Sequence, residues 1–281
     1  MGIVLALGAA VAYGLSDFIG GLASRRTSAW PVALLASVGG LAGAVVLALA
    51  VPGDPTSGDL VWGAASGLGS GAGSAFLYRG FAAGRMSVVA PVSAVGAAIV
   101  PVAVGLATGE RPSWLVMVGI VVALPAIWLV ARTPDEPLDD GAQETLAAGL
   151  VDGLLAGLGF GLLFVAIGQV PDGAGFWPIA SAQVVGLVTI AVLATALRVQ
   201  WVPTAGSEWW GAAAGLMASL ALLMFLLATQ ADLLTVAAVL TSLYPAFTIL
   251  LAAVVLREHI YRAQGVGLLL CGIAVGFVAA G

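Results

Sequence analysis

Three ionisable side chains stand inside otherwise apolar stretches: Asp17, Arg79 and Asp152. A charge at the centre of a membrane helix costs about 2.5–3.5 kcal/mol on insertion scales, so each should face a partner, water or a substrate. Asp17 lies about five residues inside the end of its stretch, roughly 8 Å deep at 1.5 Å per residue. Tyr13 precedes it by four residues and shares its helix face. Two chemistries follow. The charges form one cluster, an Asp17–Arg79 pair with Asp152 beside it, which binds or gates a substrate and lets one carboxylate take up a proton. Alternatively they pair or reach toward the interface, the simpler reading for Arg79 and Asp152.

Uncharged polar groups add a second set. Ser66, Ser70, Ser74 and Tyr78 recur every four residues and form one helix stripe. The stripe lines a polar path, or its hydroxyls bond to carbonyls one turn back and the small side chains serve packing; packing is the preferred reading. Thr241, Tyr244 and Thr248 share a face beside Pro245, where a proline frees a carbonyl and can hinge a membrane helix. Gln183 is a buried amide, either interhelical glue or a substrate contact. Trp30 and Trp177 begin apolar stretches and read as interface anchors. Glu110 and Glu258 read mainly as turn or cap groups at helix N-termini.

What is missing narrows the chemistry. There is one Cys, Cys271, one His, His259, and no Lys. An intrachain disulfide, a Cys- or His-rich metal site and Schiff-base chemistry are excluded. A nucleotide-binding loop needs Lys, so the chain has no ATP site. No cofactor and no metal are expected.

The elements that position these residues follow from composition. Of 281 residues 61% are hydrophobic and only 8% charged, and mean hydropathy is +1.13. Soluble domains run at about 25% charged residues, so a soluble enzyme and a nucleic-acid binder are excluded. Spans of about 20 residues occur at 2–22, 30–51, 60–82, 88–108, 113–131, 146–168, 176–197, 207–229, 234–256 and 263–280. The expected fold is an all-α membrane protein of ten transmembrane helices, arranged as two inverted five-helix repeats: 1–131, an acidic linker loop at 132–145, and 146–281.

The repeat rests on scarce residue types. Trp30-Pro31 recurs as Trp177-Pro178, and Gly39 and Gly14 meet Gly186 and Gly161, all at an offset of 147. Trp62-Gly63-Ala64-Ala65 recurs as Trp210-Gly211-Ala212-Ala213, Gly67-Leu68 as Gly215-Leu216, Glu110 as Glu258 and Gly119 as Gly267, at 148. Five helices is an odd number, so the second half enters from the opposite face, as in inverted-repeat transporters. Arg25, Arg26, Arg79, Arg85, Arg132, Arg198, Arg257 and Arg262 then fall on one face and only Arg111 on the other. The positive-inside rule makes the first face cytoplasmic, with both termini outside. Four-residue glycine ladders, Gly149 to Gly161 and Gly63 to Gly71, read as close-packing surfaces.

Together these features resemble an EamA-type member of the drug/metabolite transporter superfamily. The features are Tyr13-Gly14 where the family often has Trp-Gly, Ser16-Asp17-Phe18 with Ser24-Arg25-Arg26, Pro91 and Pro101, Gly109-Glu110-Arg111, and Tyr244-Pro245 ahead of Glu258. Two positions depart from the pattern: Arg257 replaces the usual Gly before the second Glu, and Pro101 rather than Ala97 carries the proline. The resemblance implies a ten-helix carrier of small metabolites with both termini cytoplasmic, against the Arg count.

The expected function is secondary transport of a small metabolite, amino-acid-like or amphipathic, by alternating access with proton coupling through Asp17. Candidate binding or coupling residues are Asp17, Tyr13, Arg79, Tyr78, Ser74, Asp152, Gln183, Thr241 and Tyr244. The expected location is the plasma or inner membrane, with the lipid bilayer and the substrate as partners and a homodimer allowed. An intramembrane enzyme with paired Asp residues, and a channel, are the alternatives.

Overall fold

The computed structural model describes residues 1–24, 27–82, 86–131, 142–257 and 259–281. Arg25, Arg26, Arg85, Arg132, Glu258 and the linker through 141 lie outside the described residues, as does the side chain of Tyr78. The helices are α1 (Gly2–Ser24), α2 (Ala29–Ala50), α3 (Ser57–Ala82), α4 (Met86–Ala107), α5 (Trp114–Ala131), α6 (Ala142–Ile167), α7 (Trp177–Ala196), α8 (Trp210–Ala231), α9 (Leu234–Thr241), α10 (Tyr244–Val255) and α11 (Arg262–Ala280). A 3-10 turn, Gly206–Trp209, leads into α8. Among the described residues there is no strand.

Nine of these segments are long and apolar enough to cross a membrane, counting α9 with α10 as one. The chain is a multi-pass membrane protein. Two expected spans differ from simple apolar rods. The span at 60–82 is a helix, α3, but its Gly and Ser content keeps it out of the nine. From Gly63 to Leu77 only Leu68 is exposed, so α3 meets helices rather than lipid and has little need of apolar side chains.

The span at 234–256 is broken in two. Pro245 has no N–H to give the Thr241 carbonyl, and its ring crowds that carbonyl. The chain tightens instead through Leu243 N–H to Leu240 O at 3.2 Å, and restarts with Ala246 N–H on Leu243 O at 2.9 Å. All eight residues of α9 are buried, whereas α10 buries only Ala246.

Helix directions follow from who meets whom. Gly8 approaches Met224 while Gly20 approaches Ala214, so α1 and α8 are antiparallel. Gly63 and Gly67 abut the Pro178 and Ala182 carbonyls, so α3 and α7 run parallel. Gly211 and Gly215 abut the Val32 and Ala36 carbonyls, so α8 parallels α2. At each of these four glycines a Cβ would strike a backbone carbonyl, which is why the residue is glycine. Gly2 lies against Asp232 and Gly281 against Ser113, placing both chain ends at one end of the bundle, the terminal end. Arg79, Arg198 and Arg257 follow or close α3, α7 and α10 at the other, basic end.

Trp30 corrects an expectation. It is 4% exposed and packs with Ala33, Ala75, Ile190 and Ala194, so it is no interface anchor; its counterpart Trp177 is 37% exposed.

Candidate functional site

α1 carries its polar residues on one face because Tyr13, Ser16 and Asp17 are spaced three and four apart. That face points into a cavity of about 190 Å³ in the middle of the bundle. α3 brings Ser66, Ser70 and Ser74 to the opposite wall; α2 adds Ser37, α7 adds Gln183, and Tyr244 comes from the start of α10. Apolar walls come from α6 and α8, through Phe160, Phe164, Ala218 and Leu222. Asp17 is exposed into this space, and its carboxylate has no hydrogen-bond or ion-pair partner among the described residues. The cavity's other lining residues include no Arg or His.

The hydroxyls on the α3 wall are unusual. Ser66 is fully buried with no partner for its Oγ. Ser70 and Ser74 show none among the described residues either, so the expected back-bonding to the helix is not what holds these three. Elsewhere that back-bonding does occur: Thr189 Oγ1 donates to Val185 O at 2.8 Å. Gln183 Nε2 donates to Ser219 Oγ at 2.9 Å, and Ser219 Oγ donates to Gly40 O at 2.7 Å. The amide therefore links α7, α8 and α2 while lining the cavity.

Aromatic rings form the floor toward the terminal end. Tyr13 meets Phe164 edge-on and Tyr244 at a tilt, both with centroids 6.1 Å apart. Phe164 in turn packs on Phe225 at 4.6 Å. Below them lie Leu226, Val239, Leu240 and Ile167, all 1% exposed or less.

The structure separates the predicted charge cluster. Arg79 pairs with Asp152, not Asp17: Nε donates to Oδ1 at 2.8 Å, and Nη2 also reaches Oδ1. The guanidinium lies 4.7 Å over the Phe76 ring. Asp152 is 2% exposed and the Arg79 side chain 40%. Neither lines the cavity. Thr241 is also outside it, donating to Ala6 O at 3.3 Å. Tyr13, Asp17, Ser74, Gln183 and Tyr244 are brought together. Ser16, Ser37 and Phe164 are lining residues that sequence reasoning did not nominate. The helical spacing of Ser16 beside Asp17 was the available signal for the first; Ser37 and Phe164 carried none.

Glu110 does cap a helix, but not the one that follows it. Its Oε1 accepts from Leu234 N–H at 2.7 Å and its Oε2 from Thr235 N–H at 2.9 Å. The carboxylate thus holds the N-terminus of α9, where the helix dipole favours negative charge.

Residues 1–132, a little under half of the chain, match the family model of the EamA-like transporter family. One solved structure, titled only "Crystal structure of protein", covers 99% of this chain and 95% of its own, with a TM-score of 0.69 at 19% identity. That likeness is one of fold. Eighteen solved chains match in all, and no curated protein matches.

Proposed function

We propose that this protein is a secondary transporter that carries a small metabolite across the plasma or inner membrane by alternating access. The observation that carries this reading is the cavity: it lies between helices from both halves of the chain, around a carboxylate without a partner among the described residues, and is floored at one end by packed aromatic rings. Such mid-bundle sites between repeats, next to broken helices, are where secondary transporters hold substrate. The break at Ser242–Leu243 lies beside cavity residue Tyr244.

The ten-helix inverted repeat belongs to the same proposal. Gly63 and Gly67 meet α7 as Gly211 and Gly215 meet α2, which is the relation two swapped repeats would produce. α3 then serves as a tenth span, shielded from lipid by its neighbours. The Arg-rich face is cytoplasmic in this reading, and Asp17 is the group through which a proton is coupled.

An enzyme using paired aspartates finds no support, because Asp152 is engaged by Arg79 away from the cavity. The reading is tested by reconstituting the purified protein in vesicles loaded with a metabolite mixture and following counterflow of labelled compounds. Exchange that saturates and falls by about tenfold or more in Asp17→Asn is expected, the effect of losing one charged hydrogen bond. Ion currents of high unitary conductance would overturn it.

A further inference from the structure

The charge and shape of the cavity say more about what it takes. Asp17 brings a carboxyl group to the cavity, and the other described lining residues include no guanidinium, imidazolium or ammonium. Among the described residues, Arg79 is committed to Asp152 and lies outside the cavity lining. A carboxylate in such a place is costly when left alone, and a cationic guest removes that cost. Tyr13, one helical turn before it, and Tyr244 line the same cavity, their ring centroids 6.1 Å apart. Their ring faces add attraction for a cation within about 6 Å.

The opposite wall has different chemistry. Ser66, Ser70 and Ser74 present hydroxyls without partners among the described residues, and Ser66 is wholly buried. A buried unsatisfied hydroxyl is disfavoured unless something bonds to it. These hydroxyls can donate to an oxygen on the guest. The cavity volume, about 190 Å³, is below the roughly 300–1,000 Å³ of pockets for drug-sized ligands. The site therefore suits a compact guest.

We propose that the cavity selects a small primary amine in its ammonium form that also carries a hydroxyl or carboxylate oxygen. The ammonium pairs with Asp17 between Tyr13 and Tyr244, and the oxygen accepts from the Ser66–Ser70–Ser74 wall. Amino alcohols and amino acids belong to this class; carboxylate anions and uncharged alcohols of the same shape do not. The proposal rests on the transporter reading for its physiological meaning, but binding at the site can be measured apart from transport.

Four probes of one carbon skeleton make the test: leucinol, leucine, isocaproate and isohexanol. Binding of each to the purified full-length protein is measured in detergent by thermal stabilisation and titration calorimetry. Leucinol and leucine are expected to bind, and isocaproate and isohexanol to bind at least about tenfold more weakly, the worth of one hydrogen bond to a charged group. Asp17→Asn should erase that preference and Asp17→Glu should restore it, which separates a lost charge from a misfolded variant. Ser66→Ala, with its neighbours intact, should weaken leucine and leucinol together by severalfold.

Isocaproate binding as well as leucinol, or Asp17→Asn retaining leucinol at full affinity, overturns the proposal. So does the failure of both amines to bind at millimolar concentration. Counterflow in vesicles separates the two readings. Asp17-dependent leucinol binding without any exchange would keep the site and sink the transporter. Exchange of a neutral or anionic metabolite that leucinol does not inhibit would keep the transporter and sink the site.

Discussion

The two ends of the cavity are closed by different means. Toward the terminal end there is a deep plug: Phe164 on Phe225, then Leu226, Val239, Leu240 and Ile167, with α9 buried along its whole length. Glu110 ties α9 to the α4–α5 turn. Toward the basic end the packing among the described residues is less extensive. Trp30, Ala33, Ala75, Ile190 and Ala194 form a small separate cluster, and the Arg79–Asp152 pair stands beside it with Arg79 partly exposed. Among the described residues, one end is closed by packing over several layers, the other by a small cluster that also gathers Leu193, Val199 and Trp201, and by a charge pair. The deeper packing among these residues is thus at the terminal end.

The largest effect should come from the plug itself. Phe225→Ala removes a ring with no exposed surface, and such changes cost about 3–5 kcal/mol in packed cores. Thermal unfolding in detergent should show a large loss. Thiol reagents added from the terminal side should also reach a cysteine placed at Ser66, in a Cys271→Ala background. Trp30→Ala should instead admit them from the basic side. The same side responding to both changes would break the comparison.

Next is the charge pair. Arg79→Ala strips a nearly buried carboxylate of its guanidinium. The cost of such a loss is about 1–3 kcal/mol, tempered by the exposure of Arg79. The double variant Arg79→Ala with Asp152→Ala should recover part of the loss, as a double-mutant cycle in thermal unfolding would show. A double-variant cost equal to the sum of the two single-variant costs would mean that the pair contributes nothing to the basic end.

Much of this was legible in the sequence, for identifiable reasons. A charge in lipid is costly wherever it sits, so Asp17 could be nominated from its depth alone. Glycines that abut a neighbouring backbone tolerate no substitute, so Gly63, Gly67, Gly211 and Gly215 stood out in the sequence as close-packing positions. Pro245 announced a weak point in its helix, although not that the helix would stop and restart. Pairings across long separations were not legible. Asp17 and Asp152 are equivalent partners for Arg79 until the helices are placed. Glu110 sits four residues before α5, and nothing local says that it reaches the amides of Leu234 and Thr235 instead. Trp30 and Trp177 have the same sequence context, and only packing buries one of them. The α3 serines were read as packing residues because a serine's partner is invisible until neighbours are known.

The Glu110 tie should have a smaller effect than either. Glu110→Gln keeps one acceptor but gives up the charge and the second carboxylate oxygen. Losing a cap costs about 1 kcal/mol. Amide hydrogen exchange should accelerate at Leu234 and Thr235 while amides in α3 stay unchanged. If exchange along α9 is unaltered, the plug is held by packing alone and the tie is incidental.

The smallest effect is expected at a pair of turns, one at each end. Gly109 precedes Glu110 with φ of 106°, and Arg257, at the matching position, has φ of 56°. Both backbones are in the left-handed region, which glycine enters freely and an L-residue enters at a cost of about 1–2 kcal/mol. Arg257 therefore sits in a strained turn at the basic end, where the terminal end has a relaxed one. Arg257→Gly should raise thermal stability by up to about 1 kcal/mol, because the freedom glycine adds to the unfolded chain offsets part of the relief. Gly109→Arg should lower it by a similar amount. A destabilised Arg257→Gly variant would mean that the arginine side chain makes a contribution at the basic end larger than the strain it imposes.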